Sequence, residues 1–277
     1  MPKPGMHTGN ETDSELNFAM SAKALPLFNA VKKFIAEEVE PMAAKFYALG
    51  ENRDDRWQYA PGQLELLEGV KSKAKAQGLW NFFLPNAETG EGLSNLDYAY
   101  IAVELGKSPL ASESLNCSAP DTGNMEVLER VGTPEQKKQW LEPLLAGEIR
   151  SAYAMTEPDV ASSDAKNLEC RAELDGDEWL INGEKMWTTG MHVASHVMVF
   201  ARTSGEDGAA RGITCFVVPT DAPGFKVGEY MWTFNMPTDH PKCSYTNVWV
   251  PESAILGELD AGLAVAQHFV HENRIRQ

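Results

Sequence analysis

Positive charge is scarce in this sequence. Its 24 basic side chains are outnumbered by 40 acidic ones, which gives a net charge of −16. A surface this negative repels nucleic acid and anionic membranes, so we expect neither as a partner. A phosphate-bearing ligand would therefore have to be held locally, by backbone N–H groups, hydroxyls or a few placed cations.

Long apolar runs are also missing. A helix needs about 20 consecutive apolar residues to span a bilayer, and the longest apolar stretches are far shorter. Residues 1–16 are polar and carry acidic side chains, without the apolar segment of a secretory signal or the arginine-rich pattern of an organelle-targeting peptide. We expect these residues to form a flexible tail and the protein to be cytoplasmic.

Cysteine is rare, and the four cysteines lie far apart in the sequence. The four cysteines are Cys117, Cys170, Cys215 and Cys243, and they form no CxxC pair. We therefore expect free buried thiols in a reducing compartment, and we expect neither a disulfide framework nor a zinc site. His192 and His196 are four residues apart but flank a strand-like segment, which favours structural histidines over metal ligands. The sequence therefore predicts no metal site.

The glycine-rich signatures of nucleotide binding are absent as well. The one Gly-x-Gly candidate, GEGLSN at residues 90–95, lacks the third glycine and follows no strand, so a Rossmann site is not expected. A Walker A pattern, a GxSxG elbow and an HExxH motif are also missing.

The first part of the sequence has helical periodicity. Apolar residues recur every four positions from Leu27 to Val39, and Pro41 predicts a kink or break after almost four turns. Further helices are predicted to end at Gly78 and to run from an N-cap at Asn95 to Gly106.

The last helix of this region has clear start and stop signals. Thr133 is predicted as the N-cap, Pro134 follows as the first helical residue, Gln136 completes a capping box and Gly147 ends the helix.

After Gly147 the period of the apolar residues changes to two, which is typical of strands. Residues 167–187 are predicted to form two alternating strands around an Asp-Gly turn, and further strand-like segments follow.

A helical pattern returns at Asp260. Leu263, Ala266, Val270 and Arg274 share a register, and the sequence ends without a cap, with an apolar face that no later segment can bury. The fold class is therefore α+β, with an all-α N-terminal domain, an antiparallel β-sandwich or barrel domain, and the start of a C-terminal helical bundle. The expected boundaries after the tail are 17–150, 151–257 and 258–277.

Two segments resemble the acyl-CoA dehydrogenase family of flavoproteins. They are YAMTEPDVASSDAKNLEC at residues 153–170 and WLINGEKMWTTG at residues 179–190. In that family a Thr-Glu-Pro strand end and a Trp-x-Thr strand end line two sides of a flavin pocket, and a helix like GTPEQK at residues 132–137 lies just upstream. The resemblance covers residues 17–277 and implies FAD as the cofactor.

The resemblance also implies roles for individual residues. A flavin that accepts a hydride gains negative charge near N1 and O2, so donors preset there favour the reduced form. Trp187 would cover one ring face, and Thr189, two residues on and so on the same strand face, would reach N5. The cofactor-binding set is Tyr153, Met155, Thr156, Ser162, Ser163, Trp187, Thr188 and Thr189, with the pyrophosphate on Ser162 or Ser163.

Acyl-CoA is the substrate that the resemblance implies. The family oxidises an acyl-CoA to the 2,3-enoyl-CoA and passes the electrons to an electron-transfer flavoprotein, in fatty acid metabolism and as a homodimer or homotetramer. Ser163, Asn273 and Arg274 are the expected substrate-binding residues, although a solvated arginine explains Arg274 nearly as well. The acyl group cannot be read from the sequence.

A catalytic base cannot be assigned. The family's usual base lies beyond Gln277, and some members carry one immediately before an arginine that matches Arg274. Asn273 stands at that position and cannot accept a proton, while Glu272 is about 100° further round the helix. Glu157 is favoured as a structural ion-pair partner. We therefore expect that the chain is truncated or completed by a separate chain.

Two alternatives to the dehydrogenase stay open. One is an oxygen-using relative, such as an acyl-CoA oxidase or flavin monooxygenase. The other is a non-catalytic flavin- or acyl-CoA-binding subunit, which the missing base favours.

Overall fold

The computed structural model describes residues 18–51, 55, 57–162, 164–233 and 236–276; within these ranges the side chains at 232, 233, 236–239, 272, 273, 275 and 276 are not described. The described part of the chain starts with helices, continues as a sheet and returns to a helix. The helices are α1 (Leu25–Phe34), α2 (Glu40–Gly50), α3 (Gln63–Ala76), α4 (Asn95–Leu105), α5 (Ala111–Ser114), α6 (Asp121–Val131), α7 (Pro134–Gln136), α8 (Glu142–Ala146) and α9 (Gly262–Arg276).

Two prolines are accommodated by π-helical turns. The turn Ile35–Val39 joins α1 to α2 just before Pro41, and the turn Lys137–Leu141 joins α7 to α8 just before Pro143. In each case the residue before the proline donates its N–H to the carbonyl five residues back. The wider turn accommodates a residue that has no N–H of its own. The predicted kink or break at Pro41 is thus a π turn within a continuous run of helix.

The helix starts were predicted with mixed success. Thr133 and Gln136 form the predicted capping box, with both reciprocal hydrogen bonds present. The predicted N-cap at Asn95 is wrong by one residue: the Ser94 hydroxyl accepts from the Asp97 N–H at 3.1 Å, and Asn95 is the first helical residue. Serine and asparagine cap equally well, so the residue type alone could not decide between them.

The sheet follows the helices. Its strands are β1 (Arg150–Ala154), β2 (Arg171–Asp175), β3 (Glu178–Lys185), β4 (Ala194–Arg202), β5 (Ile213–Pro219), β6 (Phe225–Thr233), β7 (Met236–Pro251) and β8 (Ile255–Leu256). Their order is β6-β7-β3-β2-β4-β5-β8, with β1 beside β4. The predicted hairpin is present as β2 and β3, and Gly176 in its turn has a φ of +68°.

The sheet is mixed, which corrects the expectation of a purely antiparallel one. β1 runs parallel to β4 over the register Arg150↔Ala194 to Ala154↔Val199, and β2 meets β4 in parallel at Arg171↔Arg202. An alternating pattern fixes which residues face the core but not the direction of the neighbouring strand.

The central strands separate two cores. Alternate residues of β4 and β5 face the helices, while those between them face the inside of the curled sheet. The curl brings Trp179 of β3 against Phe216 of β5, with 5.7 Å between ring centroids. Both faces of β4 and β5 are therefore buried, and the sheet edge formed by β1 lies directly against the helical layer.

α9 packs back onto the rest of the chain. Val265 and Ala266 are buried in the core that α4, α6 and β5 share, and Leu263 and Phe269 pack against it. The expectation that this helix has an apolar face with nothing to bury it is therefore wrong for these residues. The pattern showed the stripe, but its partners lie more than a hundred residues earlier in α4 and α6. In the part of the chain that is described, helices long and apolar enough to cross a membrane are not found.

Candidate flavin site

The ends of two strands meet beside the helical layer. β1 ends at Ala154 and β3 ends at Lys185, and the segments that follow are joined by a hydrogen bond from the Met186 N–H to the Thr156 carbonyl at 2.8 Å. The structure thus brings together the Thr-Glu-Pro and Trp-x-Thr segments that the sequence singled out.

Trp187 adopts an unusual backbone conformation. Its φ is +60°, in the left-handed region that bulky side chains rarely occupy, and its side chain is 44% exposed. The indole therefore lies at the surface instead of filling the core. The prediction that Trp187 and Thr189 share a strand face is wrong, because β3 ends at Lys185 and Thr189 lies in the turn that follows.

Several polar groups beside Trp187 have no protein partner among the described residues. They are the N–H and hydroxyl of Thr156 and the hydroxyl of Thr189, and both side chains are half-buried. Half-buried polar groups without protein partners are available to water or to a polar ligand. A flavin ring, which is flat and carries hydrogen-bonding atoms along one edge, fits this combination of donors and an exposed indole.

Glu157 is held in a buried ion pair with Lys185. The distance from Lys185 Nζ to Glu157 Oε1 is 2.7 Å, and the two side chains are 0% and 3% exposed. The carboxylate also accepts from the N–H groups of Glu169 at 2.6 Å and Cys170 at 3.0 Å. The prediction that Glu157 has a structural role is confirmed by these contacts.

Lys185 is the residue that sequence reasoning missed. Its ammonium also donates to the Met155 carbonyl at 3.2 Å, so it contacts the segment after β1 as well as Glu157. The signal was present: Lys185 continues the alternation of Trp179, Ile181 and Gly183 on the inward face of β3. A charged side chain on an apolar strand face requires a buried partner.

Ser162 shapes the loop that follows Glu157. Its hydroxyl accepts from the Glu157 N–H at 3.0 Å and donates to the Val160 carbonyl at 3.2 Å. Its own N–H donates to the same carbonyl at 2.8 Å. Ser162 therefore has its polar groups engaged within the loop, and binding of a phosphate there requires an exchange of partners. Ser163 lies outside the described residues.

The side chains of two predicted cofactor-binding residues, Thr188 and Tyr153, pack within the protein, and their contact with a cofactor stays a prediction. Thr188 is 0% exposed, so its side chain does not reach a surface ligand in this conformation. The ring of Tyr153 is stacked on Phe269 of α9 at 4.1 Å and tilted against Phe200 at 5.0 Å. Burial raises the pKa of the Tyr153 hydroxyl well above its usual value. Tyr153 thus packs α9 against β1.

The Met155 side chain is half-buried, and the Tyr153 hydroxyl lies 4.0 Å from its sulfur. Among the predicted substrate-binding residues, Arg274 is an exposed side chain on α9. The side chain of Asn273 is not described, so its prediction is untested.

The four cysteines are free and buried, as predicted. Burial raises the pKa of Cys170 and of Cys243 to about 11, so both remain protonated at neutral pH. In the described ranges, clusters of three or more possible metal-ligating side chains are not found.

The two domain models of one family match this chain in succession. Residues 23–148 match "Acyl-CoA dehydrogenase, N-terminal domain" and residues 152–244 match "Acyl-CoA dehydrogenase, middle domain". The chain belongs to the acyl-CoA dehydrogenase family. The second match includes both segments of the candidate site.

Curated relatives agree with this assignment. The chain is 42% identical over 277 residues to "Acyl-CoA dehydrogenase family member 11" of Gallus gallus, covering 96% of this chain and 34% of that protein. It is 41% identical over 270 residues to "Probable acyl-CoA dehydrogenase FadE2" of Mycobacterium tuberculosis, covering 94% of this chain and 64% of that protein. The chain thus spans between about a third and two thirds of these relatives.

Solved structures share the fold. A putative acyl-CoA dehydrogenase from Mycobacterium abscessus is 40% identical with a TM-score of 0.85, over 93% of this chain and 66% of that one. A glutaryl-CoA dehydrogenase from Mycobacterium smegmatis, solved in complex with FADH2, is 26% identical with a TM-score of 0.68, over 92% of this chain and 60% of that one.

Proposed function

We propose that this chain forms the FAD site of an acyl-CoA dehydrogenase, in which an acyl-CoA thioester is oxidised to the 2,3-enoyl-CoA while a base not assigned in this chain takes the α-proton. The main observation behind this proposal is the hydrogen bond from the Met186 N–H to the Thr156 carbonyl. This bond joins the segments that follow the two strand ends, beside an exposed Trp187. Family membership and the FADH2 complex of a 26% identical structure support the choice of cofactor.

The residues of the junction have distinct proposed roles. Bound FAD would supply the acceptor for the hydride that leaves the β-carbon of the acyl group. Thr156 would bind the edge of the ring with its N–H and hydroxyl, and Thr189 would donate from the turn. Trp187 would cover one ring face and exclude water, which strengthens each of these hydrogen bonds.

Arg274 would lie beside the acyl-CoA on the α9 side, where the stack of Tyr153 on Phe269 fixes the helix against β1. We further propose that electrons pass to an electron-transfer flavoprotein and that the working enzyme is a homodimer or homotetramer. A reducing compartment, such as the cytoplasm, suits four free buried thiols.

Visible spectroscopy tests the proposal. The purified chain is mixed with FAD, desalted and scanned, then titrated without oxygen with acyl-CoA thioesters of different chain lengths. Retained flavin is the expected result, and bleaching by one of the thioesters would show that a base within this chain takes the α-proton. Reoxidation by an artificial electron acceptor but not by oxygen would identify a dehydrogenase, whereas rapid reoxidation by oxygen would identify an oxidase-type relative. A chain that retains no flavin contradicts the proposal.

A flavin-binding role without catalysis is the second candidate. The buried pairing of Glu157 with Lys185 favours it, because the one carboxylate in the Thr-Glu-Pro segment is thereby committed to structure. Retained flavin together with a thioester that binds without bleaching it is the outcome expected for this candidate.

A further inference from the structure

Lys185 is a charged residue in a place where charge is costly. Its side chain is 0% exposed, and it lies on the inward face of β3 in line with Trp179 and Ile181. An unpaired ammonium at such depth would be strongly unfavourable. Its two acceptors, the Glu157 carboxylate and the Met155 carbonyl, are therefore central to what it does.

The second of these acceptors belongs to the peptide that faces the candidate flavin site. The Met155 carbonyl and the Thr156 N–H are the two ends of one peptide group. The carbonyl accepts from Lys185 at 3.2 Å, while the N–H has no acceptor among the described residues. A cation that bonds the carbonyl draws electron density from the N–H, which makes that N–H a stronger donor.

We propose that Lys185 is a positioning residue that polarises the Met155–Thr156 peptide, so that the Thr156 N–H binds reduced flavin more tightly than oxidised flavin. This inference rests on the proposed FAD site. Negative charge develops on the ring edge upon reduction, so a stronger donor there favours the reduced form selectively.

Glu157 makes this arrangement possible. Its carboxylate accepts from Lys185 and from the N–H groups of Glu169 and Cys170, which fixes the ammonium at a single position. The ion pair is neutral as a whole, so its long-range field is small. Its effect on the flavin therefore passes mainly through the bonded peptide.

The test compares the affinities of the chain for oxidised and dithionite-reduced FAD, without oxygen. In the double variant Lys185→Met, Glu157→Gln, the cation is removed without leaving an unpaired carboxylate. We expect the ratio of the reduced to the oxidised dissociation constant to rise about threefold to tenfold, or about 15–30 mV for a two-electron couple. Lys185→Arg keeps the cation and should stay within about twofold of the wild type.

Lys71→Met is the matched control. Lys71 forms an ion pair with Glu113 at 2.8 Å between α3 and α5, with side chains 11% and 15% exposed. This variant should lose stability without changing the ratio of the two dissociation constants. If the double variant also loses stability without a change in the ratio of the two dissociation constants, Lys185 has a purely structural role and the inference is overturned.

A second measurement does not depend on the variants folding. In wild-type chain labelled with ¹⁵N-threonine, the Thr156 amide should move downfield and become protected from exchange when bound FAD is reduced. An unprotected Thr156 amide in the FAD-bound chain would overturn the inference and the ring-edge role proposed for the Thr156 N–H, but not the binding of FAD by this chain. A wild-type chain that binds no FAD would overturn both.

Discussion

Trp187 combines a strained backbone with an exposed aromatic ring. A left-handed φ costs a non-glycine residue about 1–2 kcal/mol, and the 44% exposed indole regains little of it through burial. Backbone strain that packing does not compensate is found at sites where function requires the geometry. The strain and the exposure of Trp187 support its proposed place in the flavin site.

Replacement of Trp187 should separate binding from stability. Trp187→Ala should weaken FAD binding by about tenfold or more, because ring coverage is lost, while the free energy of unfolding changes by less than about 1 kcal/mol. Trp187→Gly should be more stable than Trp187→Ala by about 1 kcal/mol, since glycine accepts the positive φ. FAD titration and urea unfolding measure the two effects.

Trp249→Ala is the control, because Trp249 on β7 is also 44% exposed and lies outside the two site segments. It should leave FAD binding unchanged. Full FAD affinity in Trp187→Ala would count against the site.

His196 is a second residue with an unusual environment. It is 0% exposed, packs on Trp140 at 4.6 Å between ring centroids, and neither ring nitrogen has a hydrogen-bond partner among the described residues. Burial lowers its pKa from 6.5 to about 4. The folded state therefore holds the imidazole ring in its neutral form. The contribution of this neutral ring to the free energy of unfolding is fully present above the unfolded-state pKa of 6.5, and it is lost as the pH falls toward the folded-state pKa of about 4.

This histidine should make stability depend on pH. Between pH 7 and pH 5 the wild type should lose about 2 kcal/mol more of its unfolding free energy than His196→Phe, which keeps the contact with Trp140. Urea unfolding at the two pH values measures the difference. Equal losses in both proteins would show that His196 finds a proton acceptor when the ring becomes charged.

At the scale of elements, β3 depends on one glycine. Gly183 has a φ of +149° and sits at a register irregularity between β3 and β7. A Cβ there would lie 2.7 Å from Cys170 Cα and 2.8 Å from its sulfur, so β2 and β3 could not keep their separation. Lys185 follows two residues later on the same strand.

Gly183→Ala should therefore lower the unfolding free energy by about 2–4 kcal/mol, through strain and overpacking together. Gly69→Ala is the matched control, because this glycine lies in α3 with open space around its Cβ position. It should raise stability by about 0.5–1 kcal/mol, as alanine favours helix. A Gly183→Ala protein as stable as the wild type would mean that β3 can shift without penalty.

The sequence allowed prediction of most elements but not of their exact ends. The capping box at Thr133 and the β2–β3 hairpin follow from local chemistry and are present. The start of α4 was missed by one residue because Ser94 and Asn95 are equivalent caps. The face shared by Trp187 and Thr189 was missed because alternation applies only while the strand continues, and β3 ends at Lys185.

At the scale of the whole molecule, Gln136 joins the helical region to the end of the sheet region. Its side-chain oxygen accepts from the Thr133 N–H at 3.0 Å, while its amide donates to the carbonyls of Ser253 at 2.9 Å and Ile255 at 2.8 Å. One buried side chain thus closes a helix start and connects residues more than a hundred positions apart.

Gln136→Ala should lower the unfolding free energy by about 1–3 kcal/mol, because two partly buried carbonyls and one N–H lose their partner. Thr133→Ala removes only the cap and should cost about 1 kcal/mol. Thermal or urea unfolding of the two variants gives the comparison. Equal effects would mean that the bonds to Ser253 and Ile255 contribute nothing beyond the cap.

Long-range contacts set the limit of prediction from the sequence. The order of helices, sheet and helix could be predicted, and so could the pair of segments that meet at Thr156 and Met186. The partners of α9, the parallel pairing of β1 with β4 and the burial of Thr188 could not, since each depends on residues distant in sequence. Lys185 could have been found from its position on an apolar strand face.

The most direct measurement is a crystal structure of this chain with FAD. It should show the isoalloxazine ring against Trp187, with the Thr156 N–H hydrogen-bonded to the pyrimidine edge and the Lys185–Glu157 pair unchanged behind it. FAD bound elsewhere, or an indole turned into the core with the Thr156 N–H still without a partner, would contradict the account.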